Sequence, residues 1–73
     1  MFRLDTYYAT QCVNSSYFAN YAAATQTVAK ELAFYATLPS VDRCCWVLIE
    51  LETGIPVATY GSTQAVMDLG IIE

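Results

Sequence analysis

The chain contains no histidine, and this absence excludes more chemistry than any residue present adds. Without an imidazole, a serine or cysteine nucleophile lacks its usual proton acceptor, and a zinc cage lacks a common nitrogen ligand. Basic residues are almost as scarce: Arg3, Lys30 and Arg43 stand against seven carboxylates, for a net charge of −4. Binding a phosphate backbone takes several cations on one surface. Seven scattered acids, in turn, form no run that imitates a phosphate ladder. Nucleic acid is therefore not an expected partner, and the mild acidity serves solubility.

Cysteine is limited to Cys12, Cys44 and Cys45, an odd set without paired spacing. That pattern argues against a disulfide framework and against a zinc knuckle. The three glycines are isolated and suit turns or caps rather than a phosphate-cradling loop. Residues 17–38 are long enough to span a bilayer, but Asn20, Gln26, Lys30 and Glu31 interrupt them. No basic segment followed by an apolar core opens the chain. The reading is a cytoplasmic protein in a reducing setting, with no membrane contact and no metal or other cofactor.

What the chain does have is apolar surface. Its 73 residues suit a single domain over 1–73, near the lower limit for a self-sufficient core. Yet 56% of them are apolar, including six Tyr, three Phe and one Trp. A domain this small buries only about 60–65% of the surface its unfolded chain exposes. The excess therefore points to association with another subunit or partner.

Residues 2–10 alternate as a strand, with Phe2, Leu4, Thr6 and Tyr8 on the inward face and Arg3, Asp5, Tyr7 and Ala9 on the other. Asn14, Ser15 and Ser16 offer side-chain oxygens that cap a helix start. The apolar stripe Phe18, Tyr21, Ala22, Thr25, Val28, Ala29, Leu32, Tyr35 and Ala36 then predicts a helix of five or six turns to about Thr37. Pro39 stops it. Residues 43–51 and 55–60 predict two more strands joined by Glu52-Thr53-Gly54, with Gly54 at positive φ. Pro56 marks the last strand as an edge, or else sits at its start. In residues 43–51, Cys45, Val47, Ile49 and Leu51 are assigned to the helix side, which leaves Cys44, Trp46, Leu48 and Glu50 on the reverse. Ser62 or Thr63 caps a short final helix that Gly70 ends, and the apolar tail 71–73 is expected to dock. The expected fold is α+β: a β-α-β-β order, one long helix packed on a small three-stranded sheet, and a short C-terminal helix.

No catalytic residue is assigned. Glu50 and Glu52 share a strand face, but beside a turn they read as solvated acids. Cys44 and Cys45 read as buried small hydrophobes, since no base stands near them. Tyrosine and tryptophan carry more weight, being large, rigid contacts with one polar end. Tyr7, Trp46, Leu48 and Tyr60 are the expected contact residues of an interface, with Arg43 and Glu50 setting polar register. An alternative is a ligand site in which Tyr7, Tyr17, Arg3 and Arg43 hold a nucleotide-like anion at a subunit seam.

The run from Trp46 to Ala58, containing Glu52-Thr53-Gly54 after a tyrosine- and alanine-rich helix, resembles the small single-domain accessory proteins of tailed bacteriophages. The resemblance implies a protein of the infected host's cytoplasm that acts as an inhibitor of a host factor or binds a signalling molecule. It implies no catalytic residue. The expectation is a homodimeric, non-enzymatic module that binds another protein. Its two-fold contact is either sheet-on-sheet or an edge-to-edge pairing of strands. A small-molecule sponge is the alternative, and a structural role in a larger particle remains a further class.

Overall fold

The computed structural model describes residues 1–39 and 41–70, with only the backbone of Val41. In chain order the elements are β1 (Phe2–Tyr8), β2 (Gln11–Phe18), α1 (Tyr21–Tyr35), a 3-10 turn (Val41–Arg43), β3 (Cys44–Glu50), β4 (Ile55–Gly61) and α2 (Thr63–Asp68). The strands form one antiparallel sheet in the order β2-β1-β3-β4. The class is α+β, as expected. The three-stranded β-α-β-β order is corrected to a four-stranded β-β-α-β-β arrangement.

The additional strand is β2, and Asn14, Ser15 and Ser16 lie inside it rather than at a helix start. A two-residue turn joins it to β1, with Ala9 at φ 50° and Thr10 at φ 70°. Positive φ at both positions is the requirement of a type I′ hairpin turn, which favours Asn and Gly. Ala-Thr carries no such signal, and the Ala9 N–H anchors the turn by donating to the Arg43 carbonyl at 3.1 Å. The helix cap is Asn20, whose Oδ1 accepts from the Ala23 N–H at 2.8 Å. The helix is therefore shorter than expected, at 15 residues. It ends before Pro39, because the Ala36 and Leu38 amides bond back to the Leu32 and Tyr35 carbonyls.

Residues directly opposite in an antiparallel pair share a face. β1 keeps the two faces its alternation predicts, with Leu4 and Thr6 buried and Phe2 half-buried on the α1 side, but Tyr8 at its end is exposed and Asp5 on the other face is buried. Its register with β3 pairs Leu4 with Leu48, Thr6 with Trp46 and Tyr8 with Cys44. Cys44, Trp46 and Leu48 consequently lie on the α1 side, not on the reverse face assigned to them. Trp46 and Leu48 are both 0% exposed. They complete a core with Leu4, Ala24, Val28 and Cys44, edged by Phe2, Phe18, Leu32 and Tyr35. The Tyr35 ring meets Trp46 edge-on at 5.4 Å. Both faces of β3 are apolar, so its own pattern leaves the choice of face open; pairing with β1 decides it.

The reverse face is covered at one end by α2. Cys45, Ala65 and Val66 pack there with Tyr7 and Leu69. The chain crosses to this face at Gly61, where φ is 98° and a Cβ would stand 2.7 Å from the Cys44 carbonyl oxygen. Ser62 caps α2, as expected, its Oγ accepting from the Ala65 N–H at 3.4 Å. The β3–β4 hairpin closes where Gly54, at φ 70°, donates its N–H to the Glu50 carbonyl at 2.8 Å. Pro56 is the second residue of β4, which is indeed an edge. The docking expected of the tail 71–73 lies outside the described residues.

Candidate binding surface

Beside the apolar cluster under α2, the reverse face continues through Tyr7 to Asp5 and Arg3 of β1, next to Ser15 and Tyr17 of β2. Asp5 is only 3% exposed, and a buried carboxylate is tolerated only where it is paired and hydrogen-bonded. It has both kinds of support. Arg3 Nε donates to Oδ1 at 3.0 Å and Oδ2 at 3.2 Å, and Ser15 Oγ donates to Oδ1 at 2.7 Å. The hydrogen bond to Asp5, and then its charge, hold the Arg3 pKa above the ordinary guanidinium value. Burial, followed by the Asp5 charge, pushes the Tyr7 phenol up. A neutralised polar cluster results, rimmed by Tyr17, which stands 62% exposed.

The expected contact residues are thus dispersed. Trp46 and Leu48 are core, and no partner reaches them in the folded chain. Tyr60 is half-buried on the α1 side, its hydroxyl 3.4 Å from that of Tyr21. Burial, with that contact second, raises the Tyr60 phenol to about 12. Glu50 pairs with Phe2 in the sheet and is half-buried. Arg43 is exposed at the far end, its guanidinium 5.6 Å from the centre of the Tyr8 ring. Of the alternative ligand set, Arg3, Tyr7 and Tyr17 share the reverse face, whereas Arg43 sits at the opposite end of β1 from Arg3. Asp5 and Ser15 were not among the expected site residues. Arg3 and Asp5 sit two apart on one strand face, which made their pairing readable; Ser15 could join them only through a strand pairing that the sequence hid.

The remaining reactive groups are restrained. Burial raises the thiol pKa of Cys44, helped by Asp42, and that of Cys45, helped by Cys44. Both thiols are thereby less nucleophilic near neutrality. The Trp46 Nε1 is buried without a hydrogen bond, as is Thr6 Oγ1 beside it in the register. Burial raises the carboxyl pKa of Glu31, and its interaction with that indole opposes the rise in part. Among the described residues no group of three or more His, Cys, Asp or Glu gathers as a metal site. Among them, too, no helix is long and apolar enough to cross a membrane.

The two edges of the sheet differ. β4 carries Pro56 and a register shift opposite Leu48 and Ile49, and α2 follows it directly. β2 has eight residues, six of them exposed, and contains neither Pro nor charge. It is interrupted only at Val13, where the register slips, and residues 14–18 pair regularly with β1. The neutrality extends well beyond the strand: residues 6–29 hold no Asp, Glu, Lys or Arg, so β2 and the first half of α1 form an uncharged flank on an acidic molecule.

No family model, curated protein or solved structure matches this chain.

Proposed function

We propose that this protein is a non-enzymatic protein-binding module that engages another polypeptide along the β2 edge and the Arg3–Asp5–Ser15 face beside it. The observation that carries the reading is β2 itself. Natural sheets blunt their edges with charge, proline or cover, because unpaired N–H and C=O groups recruit further strands. Residues 14–18 have none of these. Tyr17 adds an exposed aromatic contact of the type that anchors interfaces. In this reading the Arg3–Asp5–Ser15 face with Tyr17 is what the module lays against a target, as the phage-protein resemblance implies for a protein that binds a host factor. Trp46, Leu48 and Tyr60 serve the fold, and Tyr7 and Tyr17 take over as contact residues. The test is capture of a partner from the native cell by the tagged chain, compared with the same capture by Tyr17→Ala, which alters the face rather than the strand backbone. Loss of the captured protein is expected; equal capture by the variant would place the binding surface elsewhere.

The clustering of Arg3, Tyr7 and Tyr17 favours a second reading, a small anionic ligand held on the reverse face. Asp5 weakens it by neutralising the one cation available there. A thermal-shift screen with nucleotides separates the two, since a ligand at 100 times its dissociation constant adds about 2.7 kcal/mol.

A further inference from the structure

We infer that the polypeptide received by β2 is a second copy of this chain, paired antiparallel about a two-fold axis so that two four-stranded sheets join into one of eight strands. The inference rests on the edge-strand reading above and names its partner. Three observations converge on it.

First, charge. Two molecules of net charge −4 repel each other on approach. That repulsion is least where neither contributes charge, and residues 6–29 place β2 and the start of α1 in such a region. At every register of β2 against its own copy, no like charges meet, a condition that cross-strand pairing otherwise penalises. Second, geometry. An antiparallel strand is self-complementary under a two-fold rotation: donors of one copy face acceptors of the other, and every contact occurs twice. Residues 14–18 supply a regular segment for it, beyond the bulge at Val13. Third, what lies beside the strand. A rotation axis perpendicular to the sheet keeps both α1 helices on one side and both polar clusters on the other. On the helix side α1 carries no charge before Lys30, so its first half brings none to the seam. On the opposite side Tyr17, 62% exposed, flanks its own copy across the new seam. β4 offers no equivalent, since Pro56 lacks a donor and the register shift distorts the ladder.

The experiment is sedimentation velocity of the full chain from 1 to 100 μM, combined with amide hydrogen exchange read at β2. The expected result is a dimer whose β2 amides gain protection as concentration rises. Asn14→Lys, at an exposed position, is expected to weaken dimerisation at least 10-fold without changing the circular dichroism spectrum. Ile55→Lys, on the β4 edge, is expected to leave it unchanged. A dimer that survives Asn14→Lys but is lost in Ile55→Lys overturns the inference. So does a chain that stays monomeric at 100 μM. In that monomer, rapidly exchanging outward amides along residues 14–18 would remove only the second copy and leave the edge open to a foreign strand. Protected amides there would remove the edge-strand reading as well.

Discussion

The two faces of the sheet solve the same problem in opposite ways. Beneath α1, Trp46, Leu48 and Leu4 exclude water with apolar bulk, and the cost of burial falls on Trp46 Nε1 and Thr6 Oγ1, neither of which gains a well-formed hydrogen bond. On the reverse face, outside the apolar cluster under α2, a carboxylate is buried instead, and Arg3 and Ser15 satisfy it. The first face is close-packed and tolerates a missing polar partner because its stabilisation comes from area. The second depends on each of its few hydrogen bonds. A module built this way keeps its rigid support on one side and a polar, neutral surface with an open edge on the other.

Substitutions that act on one face alone break the comparison most directly. Trp46→Ala should be the most damaging, at about 3–5 kcal/mol, because it empties the centre of the core. A denaturant melt checks this; a loss below 1 kcal/mol would show that the α1 face is not the chief source of stability. Gly61→Ala comes next, at about 2–3 kcal/mol, since positive φ and the Cys44 carbonyl at 2.7 Å leave no place for a methyl group. Its effect should appear in a melt and as earlier exchange of the α2 amides. Arg3→Met keeps much of the aliphatic stem but strips Asp5 of its cation. The Arg3 side chain is 35% exposed, so solvent screening keeps the loss in a melt below that of Gly61→Ala.

The smallest effect lies at the rim of the α1 face. The Tyr60 phenol is raised to about 12, above its unfolded value of about 10. Between those values the unfolded chain gives up its proton and the folded chain keeps it. The associated stability is thus full below pH 10 and lost as pH rises towards 12. Ultraviolet titration should resolve one tyrosine that ionises about two pH units late. Tyr21→Phe should lower that midpoint without restoring the ordinary value, because burial is the larger cause.

Much of this was legible in the residues. The alternation of β1, the stop before Pro39, the glycine turn after Thr53 and the Ser62 cap each rest on a local requirement, and each is found in place. β2 was not legible, because Ala9-Thr10 occupies a turn that usually announces itself with Asn-Gly, and Asn14-Ser15-Ser16 suits a helix cap as well as an edge strand. The candidate surface shared that fate. Arg3 and Asp5 showed their common face, but Ser15 and the open edge depended on a pairing partner ten residues on.

The sequence by itself determined the α+β class, the boundaries set by Pro39, Gly54 and the Ser62 cap, and the inward face of β1. Those follow from backbone geometry and hydrogen bonding within a few residues of each position. Tertiary structure alone decided which side of β3 carries Trp46, that residues 11–18 join the sheet, and that Asp5 is buried with its partners. A strand has two faces and its period is two residues, so when both faces are apolar only the register with a neighbour can choose between them.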